Sequence, residues 1–154
     1  MIPAAENLNG WWHAYLDASN PWKPEQDALS SPLPHPTGGW EALETRKRSL
    51  SVPGIWRDHI AGYVGIIWYE RPLWLEADWK GVEGVLEIAR FCEWLQVFLN
   101  GKPVGQSVRA HQGLALALGV LRPECRYSLG VCLWAPDDRG GIASDVILRP
   151  AAND

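Results

Sequence analysis

Phe91-Cys92-Glu93-Trp94-Leu95-Gln96-Val97-Phe98-Leu99-Asn100-Gly101-Lys102-Pro103-Val104-Gly105 decides how the rest of the chain is read. Leu95, Val97 and Leu99 fall on one face and Trp94, Gln96 and Phe98 on the other, which is the period of two that marks a strand. Asn100-Gly101 then supplies two adjacent residues that tolerate positive φ, so the spacing predicts a tight type I′ hairpin. Lys102 to Gly105 begins the return strand.

Working outward, the same chemistry recurs. Gly65 to Arg71 is β-branched and aromatic, and Pro72 with Leu73-Trp74-Leu75 continues it in extended form. Gly84 to Ala89 reads as another strand. Leu114, Leu116 and Leu118 alternate with small residues. Tyr127 to Trp134 alternates as well, with Leu129, Val131 and Leu133 inward and Cys132 and Trp134 outward. Asp145 to Leu148 is the last strand, and a short one runs from Gly10 through Asp17. Only Glu41 to Ser49 suggests a helical turn. Residues 1–40 are otherwise expected to be irregular coil wrapping the sandwich, with four prolines among residues 24–36. About eight short antiparallel strands separated by turn signals predict an all-β sandwich or barrel.

The 154 residues fit one domain, 1–154. An apolar content of 47% with 21% charged residues is that of an ordinary globular protein. The net charge is −4 and Arg46-Lys47-Arg48 is the only basic run, which argues against a nucleic-acid partner. No apolar run approaches the about 20 residues of a membrane span. The N-terminus lacks the basic and apolar segments of a secretory signal, and the compartment stays open. Cys92, Cys125 and Cys132 lack metal-ligand spacing and read as small thiols on strands, with a disulfide between two of them left open. His13, His35, His59 and His111 are isolated, so no metal or cofactor is expected. Ten tryptophans mean either an oversized core or flat faces offered to a partner.

One set of motifs ties these segments together: Leu8-x-Gly10-x-Trp12 with Asp17, Val52-Pro53-Gly54-x-Trp56, Tyr63-x-Gly65-x-x-Trp68-Tyr69-x-Arg71, Val97-x-x-Asn100-Gly101-x-x-Val104-Gly105, and Gly140-Gly141-Ile142-x-x-Asp145-Val146-x-Leu148. In this order the chain resembles the N-terminal sugar-binding domain of glycoside hydrolase family 2, the β-galactosidase and β-glucuronidase group. The resemblance implies a galactose-binding-like jelly roll over residues 8 to 148. The family commonly carries a His and a Gly-Gly pair after its Val-Gly, whereas here Gln106 to Gly113 follows. The family's catalytic barrel needs about 250 residues by itself and is expected to be absent.

Glycoside hydrolysis uses two carboxylates about 5–10 Å apart. Pairs such as Asp137-Asp138 or Glu76-Asp78 are expected among 18 acidic residues as ordinary surface charges, and no nucleophile–base order or phosphate loop is present. Sugar binding needs an aromatic face for the ring and polar groups for the hydroxyls. Arg109, His111 and Gln112 follow the hairpin and are either a solvated loop or ligand contacts. Trp134 precedes the Asp137-Asp138-Arg139 loop, and Trp22 and Trp40 flank the proline-rich coil. Trp56, Trp68 and Tyr69 are expected in the core, and Arg71 beside a carboxylate. Trp94 and Phe98, on the outward stripe, are either covered by the N-terminal coil or form an interface. The expected function is a non-catalytic carbohydrate-binding module for a galactoside- or glucuronide-like glycan. The alternative is a structural domain that packs on a glycosidase catalytic domain or forms a homo-oligomer.

Overall fold

A computed structural model describes residues 2–24 and 33–151. Two strands open the chain, β1 (Glu6–Asn7) and β2 (Gly10–Asp17). A single helical turn, α1 (Trp40–Leu43), passes through a 3₁₀ turn (Glu44–Arg46) into β3 (Lys47–Val52). There follow β4 (Gly54–Ile55), β5 (Gly65–Leu73), β6 (Glu83–Ile88), β7 (Phe91–Cys92), β8 (Trp94–Leu99), β9 (Lys102–Arg109), β10 (Leu114–Val120), β11 (Tyr127–Ala135), β12 (Gly141–Ile142) and β13 (Val146–Pro150). The described residues thus hold thirteen strands where about eight are expected. Four of the extra ones, β1, β4, β7 and β12, are two residues long, too short to show any alternation.

The strands form an all-β sandwich. A four-stranded sheet has the order β1-β13-β6-β10, and a six-stranded sheet the order β3-β2-β5-β11-β8-β9. A small third sheet, β4-β12-β7, closes one end. Leu86, Ile88, Leu114, Val146 and Leu148 from the smaller sheet meet Trp12, Ile67, Tyr69, Leu95, Val97, Leu129, Val131 and Leu133 from the larger one, and all are buried. Burying each such side chain contributes about 1.5–3 kcal/mol. Within this core the Trp56 indole N–H donates to the Tyr69 hydroxyl at 2.8 Å. Burial holds the Tyr69 phenol well above its ordinary pKa, so it stays protonated.

The hairpin forms as the sequence reading predicts: Asn100 and Gly101 take φ of 51° and 80°, and Leu99 pairs with Lys102. The expected strand from Gly10 through Asp17 forms as well, inside the larger sheet and paired with both β3 and β5. Two expectations are corrected. First, the helical turn ends at Arg46, and Lys47–Val52 is an edge strand. Lys47, Arg48 and Ser49 are all exposed there, which hides the alternation visible only at Leu50 and Val52. Second, among the described residues Arg71 makes no close ion pair: its guanidinium donates to the Pro72 and Leu8 carbonyl oxygens, each at 2.9 Å, lies 6.0 Å from the Trp12 ring, and feels the Glu6 carboxylate only from a distance.

The larger sheet is also covered on its outer face. Tyr15, Leu43, Ile66, Trp68, Trp94 and Cys132 form a second buried cluster there, flanked by Trp22, Leu33, Phe98 and Trp134. The Trp22 ring lies 4.5 Å from that of Trp94. Trp94 is 1% exposed, so this ring has no face free for another chain. The interface expectation at Trp94 gives way to the other option, cover by the N-terminal segment.

Candidate functional site

The outer face of the larger sheet is not covered along its whole width. In the strand ladder Glu70 stands opposite Gly130, and Gly130 opposite Phe98. Because Gly130 has no side chain, a notch opens between the other two. A Cβ at Gly130 would sit 3.5 Å from the Phe98 Cβ and 3.5 Å from the Tyr69 carbonyl oxygen, ordinary contact distances. The backbone therefore does not demand glycine here, and the bare main chain serves as a floor.

Around that floor lies a groove of about 480 Å³, lined by Tyr15, Trp40, Glu44, Trp68, Glu70, Phe98, Asn100 and Ser128 among others. Each wall has a structural origin. The alternation of β2, β5 and β8 turns Tyr15, Trp68 and Phe98 outward. The helical turn α1 carries Trp40 over them, its ring 6.3 Å from Tyr15 and 5.1 Å from Trp68, both edge to face. Trp68 lies 5.9 Å from Phe98. Trp40 remains 49% exposed, so one aromatic surface is left to solvent.

The polar rim is held in place. The Ser128 hydroxyl donates to Glu70 at 3.1 Å, and the Ser128 amide donates to the Asn100 side-chain oxygen at 2.8 Å. Lys47 donates to Glu44 at 3.2 Å, its ammonium 5.9 Å from the Tyr15 ring. Burial first, and then the negative charge of Glu44, push the Tyr15 phenol above its ordinary pKa. Behind this wall the Trp68 indole donates to Asp17 at 3.1 Å. Asp17 is fully buried and also accepts from Asn20 at 2.9 Å and the Thr37 amide at 3.1 Å. Burial alone would raise its pKa, but these hydrogen bonds outweigh it and hold the carboxyl below its ordinary value.

The residues expected to bind sugar fall in separate places. Trp40 lines the groove. Arg109 and His111 line a shallow depression with Glu93 and Ala110 instead. Gln112 turns its side-chain oxygen to the Arg109 amide at 2.9 Å, tying off a 3₁₀ turn. Trp134, Trp94 and Arg109 stand in one row across β11, β8 and β9. Trp22 and Trp134 flank the second cluster and Trp22 packs on Trp94, so their rings serve the fold's own packing. Phe98 is half-buried and forms a groove wall. The acidic pair Asp137-Asp138 is bound up structurally: Arg139 holds Asp137 at 2.6 Å, while Asp138 accepts the Gly62 amide at 2.9 Å and lies 3.6 Å from Arg57. Glu44, Glu70 and Ser128 escaped the sequence reading, and Asn100 entered it only as a turn residue. The one signal was Gly130 on an alternating strand, and it gains meaning only with its neighbours in register. Among the described residues no cluster of His, Cys, Asp and Glu could hold a metal ion.

Two facing antiparallel sheets, with this groove on the outer side of the larger one, define a β-sandwich with a notch in its outer face. No known family's sequence profile matches the chain. In structure it is similar to the β-glucuronidase of Faecalibacterium prausnitzii, with a TM-score of 0.68 and 18% identity over 96% of this chain and 31% of that one. It is likewise similar to the β-glucuronidase of Lactobacillus rhamnosus, with a TM-score of 0.68 and 17% identity over 97% of this chain and 29% of that one. The β-glucuronidase of Ruminococcus gnavus gives a TM-score of 0.65 and 18% identity over 95% and 28%. The chain therefore shares the fold of one portion of these enzymes and spans about three-tenths of their length.

Proposed function

We propose that the chain is a carbohydrate-binding module without catalytic machinery of its own, and that the glycan lies in the groove under Trp40. The observation that carries this reading is a half-exposed indole standing over a groove with aromatic walls, with Glu70, Ser128 and Asn100 fixed at its rim. A pyranose offers an apolar C–H face for the indole and hydroxyls for the rim. Each hydroxyl buried without a partner would cost about 1–3 kcal/mol, so the rim groups set which ring orientations bind. The fold shared with a portion of three β-glucuronidases supports a place beside a glycosidase catalytic domain, on the same polypeptide or another.

Tryptophan fluorescence during titration with methyl galactoside, glucoside, mannoside and glucuronide tests the proposal. At least one is expected to change the emission at millimolar concentration, and Trp40→Ala to weaken that binding by about tenfold or more. Silence toward all four ligands would overturn it.

A further inference from the structure

We propose that the groove selects glycans carrying a protonated amine, such as glucosamine oligosaccharides, over neutral and uronic sugars. This rests on the carbohydrate-binding reading and adds a charge to it. Among the described residues the lining holds two carboxylates, Glu44 and Glu70, and no Lys, Arg or His. Lys47 approaches from the edge strand and is taken up by Glu44 at 3.2 Å. Among the described residues Glu70 accepts a hydrogen bond from the neutral Ser128 hydroxyl and feels the Lys47 charge only from beyond hydrogen-bond distance, while a carboxylate has about four lone-pair sites. On β2, His13 stands opposite Glu70 in the ladder, and the Tyr15 phenol also feels the Glu70 charge. The groove therefore carries an excess negative charge.

The walls act in the same direction. Tyr15, Trp40, Trp68 and Phe98 present ring faces and edges to one small space, and the negative face of a π-system attracts a cation within about 6 Å. An ammonium on the sugar ring would meet Glu70 and an aromatic face together. A uronate would bring a third carboxylate into the same space, where like charges disfavour one another. A volume of about 480 Å³ lies within the range of small-ligand pockets. The sugar ring, and not the amine alone, is the occupant, because the Trp40 surface needs an apolar face to cover.

The test is calorimetric titration at pH 6, well below the usual α-amine pKa of about 7.7–8.0, because the oxygens flanking a sugar amine lower its basicity further. The probes are the glucosamine disaccharide, its di-N-acetylated form, cellobiose, methyl glucuronide and lysine amide. The glucosamine disaccharide is expected to bind about tenfold tighter than cellobiose, with the ratio falling as salt is raised. Glu70→Gln keeps a hydrogen-bond acceptor for Ser128 and is expected to bring that ratio close to one, and the ratio is the readout whatever the absolute affinities. Equal binding of the glucosamine disaccharide and cellobiose, preference for glucuronide, or lysine amide binding as tightly as the disaccharide would overturn this inference while leaving carbohydrate binding in place. Failure of every sugar would overturn both.

Discussion

Asp17 shows how much one side chain can hold. It accepts hydrogen bonds from Asn20, Thr37 and Trp68 while fully buried, which joins β2 to the segment leading into α1 and to the indole behind the groove. Its second oxygen has no hydrogen-bond partner among the described residues, with Arg46 3.8 Å away. Asparagine keeps one acceptor oxygen for these donors but loses the charge that strengthens all three bonds, so Asp17→Asn is expected to destabilise the fold by about 1–3 kcal/mol at pH 7. The folded-state pKa lies below the ordinary 3.8, so this contribution is complete above about pH 3.8 and is lost as pH falls through the folded value. Thermal unfolding of both proteins at pH 7 and pH 3 checks it: the gap should shrink in acid, and equal stability at pH 7 would contradict it. The sequence displayed Asp17 as part of a motif. It could not display the role, because Thr37 and Trp68 lie 20 and 51 positions away.

Among the elements, β8 and its hairpin were the most legible, because alternation and Asn-Gly chemistry are local. The groove was illegible for the opposite reason: its floor depends on β5, β11 and β8 placing Glu70, Gly130 and Phe98 side by side. Gln96 makes the same point. It falls on the outward stripe, yet it is buried, and its amide donates to the carbonyls of Val97, Val104 and Gly105 where the β8–β9 register shifts. Gly130→Val is the element-scale prediction. The position has room for a Cβ and no left-handed backbone, and valine suits a strand. Stability should change by less than about 1 kcal/mol, while sugar binding falls by about tenfold or more as the notch fills. A thermal melt and a titration on the same sample decide it, and unchanged binding would move the ligand away from this groove.

For the whole molecule, the decisive fact is that one sheet carries two buried layers. The surplus of tryptophan divides accordingly. Trp12, Trp56 and Trp79 pack between the sheets, while Trp68 and Trp94 lie under the outer cover. Removing that cover by Trp22→Ala is expected to cost about 1–3 kcal/mol and to shift Trp94 emission to the red. Unaltered emission would show that other groups seal Trp94. The choice between core and exposed faces could not be made from a count of tryptophans, because both answers hold in different places. Trp11 and Trp74 are 70% and 69% exposed. The margins of the larger sheet are a separate matter. On one side β3 presents Lys47 and Arg48 to solvent, and on the other β9 carries Pro103 and bends at Gly105, whose φ is 65°. A repelling charge at one border and a missing donor with a kink at the other block the addition of a further strand. The larger sheet, rich in aromatic rings on both faces, is thereby guarded at its two borders against lateral growth.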